Sequence, residues 1–150
     1  MTIGEFWNAF ITETGKDPSL KYIEAFHFEL TERWANELLA LVLEGKKRAT
    51  ASSLTALELE MERLPHPGDY SIVTDWAGNP RCVIETTAVT VIPFNEMTFD
   101  ICKREGEDDS LESWKEGHRR FFTAEGKQLG YRFAEDMPVV FEDFEVVYIK

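Results

Sequence analysis

The chain predicts an α+β fold: a small mixed or antiparallel sheet flanked by helices. Three observations point there. Helix and strand patterns alternate irregularly along the 150 residues. The clearest neighbouring strands are joined by a hairpin loop and not by a helical crossover, which argues against a doubly wound parallel sheet. Apolar residues make up 43% of the chain and include eleven Phe, four Trp and four Tyr, enough for one real core in one domain.

The elements follow in order. Ile3, Phe6, Trp7, Phe10 and Ile11 recur at helical spacing, so residues 3–14 form a helix that ends at Gly15 and Pro18. Residues 22–28 are short and aromatic, either a strand or an irregular packing segment. Residues 31–44 are the best-defined helix. Thr31 caps it, Trp34, Leu38, Leu41 and Val42 make its stripe, and Gly45 follows its end. Residues 49–53 read as extended and 54–63 as a second short helix. Pro65-His66-Pro67-Gly68 turns the chain. Residues 70–75 and 81–91 are strands, the second rich in Val and Thr. Residues 99–104 suit a helical turn, and an acidic loop follows. Asp109 caps the next helix with Glu112 as its capping-box partner, and Leu111, Trp114, His118, Phe121 and Phe122 stripe it. Pro138 opens the last strand, in which Val140, Phe144, Val146 and Tyr148 interleave with Glu142, Glu145 and Val147.

Composition narrows function. A formal net charge of −12 repels a polyanion, so no duplex DNA partner is expected, although a local basic patch can hold one or two phosphates, and a nucleoside or a short single-stranded RNA fits better. Cys82 and Cys102 make neither a disulfide framework nor a four-cysteine zinc site, and suit a reducing cytoplasm. No long apolar run or export signal points to a membrane. The sequence carries no signal for an oligomeric state.

The densest chemistry lies at Gly45-Lys46-Lys47-Arg48-Ala49-Thr50-Ala51-Ser52-Ser53. A threonine hydroxyl is a weak nucleophile and needs a proton acceptor; Lys47 can serve if its pKa is lowered, with Lys46 and Arg48 adjacent to do so. In an uninterrupted strand, positions 47 and 50 would face opposite ways, so the pair requires an irregular exit after Gly45. A lysine-rich helix end complementing the helix dipole is the simpler account on spacing alone. Glu105, Glu107, Asp108 and Asp109 crowd four acids into five residues. They are either a solvated cap or the partner of the basic segment. Their spacing lacks the alternation of a calcium loop, so no metal is expected. His118, on an apolar stripe, reads as a core histidine and His66 as an exposed turn residue. Ser52 can donate to a ligand, Asp75 borders the hairpin, and Trp76 can stack on a base or cover one end of the sheet.

Together these residues resemble a family. Gly45, Lys47 and Thr50 resemble the G-x-K-x-x-T signature of ASCH domains, within the PUA-like group. Pro67-Gly68-Asp69-Tyr70 before a strand, Glu105-Gly106-Glu107, Ser110-Leu111-Glu112-Ser113-Trp114, His118 and Phe121-Phe122 extend the likeness to longer bacterial members. It covers residues 24–150 of a single domain and leaves residues 1–23 as a helical extension. The resemblance implies a small PUA-like β-barrel flanked by helices. It also implies an RNA-binding module, a ribonuclease, or a cofactor-independent amide hydrolase that removes the acetyl group of N4-acetylcytidine. In that hydrolase a Lys, a Thr and a Glu carry the reaction. Lys47 and Thr50 take the first two roles; alignment through Ser110-Leu111 selects Glu107 for the third, and alignment through the preceding helix selects Glu105. Lys46, Arg48, Ser52, Asp75 and Trp76, with Glu105, are the candidate substrate contacts.

Overall fold

The computed structural model describes residues 1–150. Its helices are α1 (Ile3–Thr14), α2 (Glu32–Leu43), α3 (Leu54–Leu59), α4 (Phe99–Cys102) and α5 (Leu111–Leu129). Its strands are β1 (Glu24–Phe26), β2 (Ala49–Ser53), β3 (Tyr70–Thr74), β4 (Pro80–Pro93) and β5 (Pro138–Ile149). They form one mixed sheet in the order β1-β3-β4-β5-β2. Only β1 and β3 run parallel; the other neighbours are antiparallel. The sheet curls into a half-barrel of the PUA-like kind. The long β4–β5 ribbon slips register between Val83 and Ile84 and again between Thr86 and Ala88. Such bulges bend a strand and increase its twist, which suits the curl.

Period-two alternation assigns the two sheet faces to different helices. Ile72 and Val83 meet Phe6, Trp7 and Phe10 of α1. Their chain neighbours Val73, Cys82 and Ile84 meet Leu38, Leu39 and Val42 of α2. A third cluster joins Trp114 and Phe122 of α5 to Phe94, Val139, Phe141 and Ala49. Both ends of α1 are capped as its sequence demands. Thr2 and Glu5 form a capping box, and Gly15 adopts a left-handed C-terminal conformation.

The structure resolves one open alternative and shifts three expectations. Residues 22–28 resolve into a three-residue strand pairing with β3. The helix expected over 54–63 stops at Leu59, because Met61 takes a positive φ of 58°. The cap of α5 is Ser110 and not Asp109: the Ser110 hydroxyl accepts the Ser113 N–H at 3.1 Å. Glu112 therefore stands one residue too early for a capping box. β5 is buried on both faces over Val139, Val140 and Phe141, which its interleaved charges did not suggest. It lies between β4 and β2.

Phe10 is fully buried and links α1 to Tyr70 and Tyr148. Phe10→Ala is expected to lower unfolding free energy by about 3–5 kcal/mol in urea titrations.

Candidate active site

The site begins at the end of α2. Gly45, with φ at +80°, lets its own N–H reach Val42 O and the Lys46 N–H reach Leu41 O. This is a Schellman closure, which ends the helix and turns the chain. Lys47 N–H also bonds Leu41 O, and β2 starts only at Ala49. Lys47 thus lies in the irregular exit, where strand parity does not apply. Lys47 and Thr50 line the same cavity.

The second half arrives from residues 103–107. Arg48 N–H donates to Arg104 O at 2.9 Å, and the Arg104 guanidinium binds Asp143 of β5 at 2.9–3.0 Å. Gly106 has φ of +71° and packs directly on the backbone of Lys46 and Lys47. A Cβ there would stand 2.1 Å from Lys46 O. No other residue type allows this approach without moving one backbone, so Gly106 sets how close the acidic loop comes to Lys47.

Lys47 is 1% exposed, a buried cation. Its Nζ donates to Ala49 O at 2.8 Å and to Glu107 Oε2 at 2.5 Å, and lies 3.4 Å from Glu105 Oε1. The Phe28 ring covers it with the centroid at 5.2 Å. Burial disfavours the ammonium, but the Glu107 and Glu105 charges outweigh burial and raise its pKa. Glu105 is 2% exposed and also accepts from Trp114 Nε1. His118 Nε2 sits 3.4 Å from its Oε2. Burial pushes the Glu105 carboxyl up, yet His118, Lys47 and the Trp114 hydrogen bond overcome that and hold it at about 2. Glu107 differs. Burial, aided by repulsion from Glu105, raises its pKa despite Lys47. The two carboxylates, two residues apart, are thus pushed in opposite directions.

His118 stacks on Trp114 at 4.0 Å between centroids, and its Nδ1 donates to Trp114 O at 2.8 Å. Both ring nitrogens face oxygen acceptors, an arrangement that only the imidazolium satisfies fully. Burial lowers the pKa of His118, but the charge and hydrogen bond of Glu105, then Glu107 and Trp114 O, raise it on balance. His118 is thus a largely buried histidine with both ring nitrogens partnered, and it also lines the cavity, which its place on the stripe alone did not reveal. The available signal was its place one helical turn after Trp114.

The cavity occupies about 270 Å³ and is lined by Lys47, Thr50, Glu105, Glu107 and His118, with Trp34 and Arg120 further along. A second cavity of about 310 Å³ adjoins it and shares Phe28, Glu29, Thr50, Ala51 and Phe121. Ser52 lines that second space. Four candidate contacts stand elsewhere. Lys46 is exposed and paired with Glu44 at 3.2 Å. Arg48 is exposed. Asp75 is engaged by Asn79 within the hairpin turn. Trp76 is held by Asn36 and packs near His27, and does not line the Lys47 cavity. No helix is long and apolar enough to cross a membrane.

Two outcomes follow. Gly106→Ala is expected to cost more than about 1 kcal/mol in chemical denaturation, because it adds both a positive-φ penalty and a backbone clash. The second concerns His118, whose folded pKa is raised above the ordinary 6.5. Its charge contributes stability in full below that value and loses it as pH rises through the raised one. The melting-temperature gap between the wild type and His118→Gln should therefore be widest in acid and narrow toward alkaline pH.

The chain as a whole is similar to known proteins. Residues 24–148 match the profile described as the ASCH domain. An ASCH domain structure from Lactobacillus crispatus is 37% identical, with a TM-score of 0.86 over 97% of this chain and 93% of that one. A crystal structure of an Enterococcus faecalis protein is 33% identical, with a TM-score of 0.89 over 98% of this chain and 88% of that one. No curated protein matches the chain. With a profile match across most of its length and two such relatives, the chain belongs to the ASCH domain family.

Proposed function

We propose that this protein is a cofactor-independent amide hydrolase that deacylates an exocyclic amine on a nucleobase or nucleoside, with N4-acetylcytidine as the model substrate. The observation that carries this reading is the buried Lys47–Glu107 pair, opening on the same cavity as Thr50. A buried cation beside a carboxylate of raised pKa supplies both charge stabilisation and proton transfer at one point.

The electrostatics revise the role of Lys47. Two carboxylates keep it protonated, so it is a poor base for Thr50. In the proposed reaction the ionised Glu107 takes the proton as Thr50 Oγ1 attacks the acyl carbonyl. The Lys47 ammonium donates to the developing oxyanion. Glu107 then returns the proton to the departing amine as the C–N bond breaks. Water, activated by the same carboxylate, hydrolyses the acyl-threonine and releases acetate. Glu105 stays ionised throughout and positions Lys47. Its lower exposure and fuller set of partners support Glu107 over Glu105 as the proton carrier. The exposed, outlying positions of Lys46, Arg48 and Trp76 lend less support to a phosphate-binding module.

The test is acetate release from N4-acetylcytidine. Glu107→Gln is expected to lower kcat by about 10²–10⁴-fold, and Lys47→Met by about 10²–10³-fold. Thr50→Ala should abolish turnover with the circular dichroism unchanged. Glu107 must be ionised to act, so kcat/KM should fall as acid protonates it, at a pH above the ordinary carboxylate range. A folded wild type that releases no acetate overturns the reading, as does full activity in Glu107→Gln.

A further inference from the structure

Glu29 is one of two non-glycine residues in the left-handed region, with φ of 60°. A residue with a full side chain adopts that conformation at a cost, and such strain concentrates where a ligand is held. The side chain is 12% exposed and lines both adjoining cavities. Its carboxylate is only loosely engaged. Oε1 accepts the Leu30 N–H at 3.3 Å, and Oε2 lies 3.5 Å from Arg120 Nη2. An ionised carboxylate can accept about four hydrogen bonds, so acceptor capacity remains free. Arg120 lies over the Trp34 ring at 5.6 Å and is about half exposed, so the side of the cavity that it lines opens to solvent, with the Glu29 carboxylate beside it.

We infer that Glu29 is the specificity residue that receives the ribose of the substrate, its carboxylate accepting hydrogen bonds from the vicinal 2′- and 3′-hydroxyls. The inference rests on the nucleoside reading above. In cytidine the acylated N4 and the sugar-bearing N1 lie at opposite ends of the ring. With N4 at Lys47 inside the cavity, the sugar points to that open side, where Glu29 stands. A carboxylate is the side chain suited to this task, since a diol presents two donors and a carboxylate has two acceptor oxygens. Arg120 lies beside Glu29 at 3.5 Å and leaves its acceptor capacity free. The combined space, about 270 Å³ and about 310 Å³, lies in the range of small-molecule sites.

The experiment is calorimetric binding at neutral pH of cytidine, 2′,3′-dideoxycytidine and cytosine, to the wild type and to Glu29→Gln, with acetate release from N4-acetylcytidine measured in parallel. The wild type should prefer cytidine over dideoxycytidine by about ten- to a hundredfold, the factor expected for hydrogen bonds to a charged acceptor. Glu29→Gln should bring that ratio close to one. The dideoxy comparison makes the test on the unaltered protein, so it stands even if the variant folds poorly. Equal binding of cytidine and dideoxycytidine by the wild type overturns the ribose assignment, whether or not acetate is released. A folded Glu29→Gln that keeps the preference does the same. Acetate release without ribose discrimination leaves the hydrolase standing and removes only Glu29. Discrimination without release removes the hydrolase and keeps Glu29. Binding of none of the three ligands removes both.

Discussion

A lysine ammonium buried to 1% exposure is the constraint on which this architecture turns. An isolated charge in such a place costs many kcal/mol, and the pair is tolerable only with close partners and satisfied hydrogen bonds. Lys47 has both: two carboxylates and the Ala49 carbonyl account for its three donors. The carboxylates themselves are balanced by His118 and capped by Trp114. Two cations and two carboxylates thus form a nearly neutral buried cluster. Removing one member leaves its partner charged and exposed to the low dielectric, so these residues stand or fall together.

The rest of the fold serves that encounter. Lys47 follows α2 and the carboxylates lie about sixty positions later, on the far side of β3 and β4. The Gly45 closure aims Lys47 off the helix end, and Gly106 lets the acidic loop touch the backbone beside it. Arg104, tied to Asp143, pins that loop to β5. Trp114 belongs to the largest apolar cluster and also donates to Glu105, so core packing and site geometry share one side chain. The curled sheet then leaves room between α2 and α5 for the cavity.

Electrostatic division of labour connects this arrangement to chemistry. Glu105 and Glu107 are two residues apart in sequence and neighbours in space, yet their surroundings push them in opposite directions. In the proposed reaction this separation lets Glu105 serve as the permanent charge and Glu107 as the proton carrier. The net charge of −12 repels anions at long range, which is compatible with the uncharged nucleoside of the proposed reaction.

Sequence alone determined much of the scaffold. The stripes of residues 3–14 and 31–44, the Gly45 stop, the β-rich run before Pro93 and the hairpin at Trp76 are local patterns, and local physics suffices to read them. The G-x-K-x-x-T pattern likewise drew attention to Lys47 and Thr50. Only the tertiary structure decided which charges meet. It brought Glu105 and Glu107 onto Lys47, gave the two carboxylates different surroundings, and drew His118 into the cluster. It also set Lys46, Arg48, Asp75 and Trp76 away from the cavity. The reason is that a side chain's pKa and reach depend on burial and on partners distant in the chain. No spacing rule carries that information, whereas helix stripes and glycine turns are settled within a few residues of themselves.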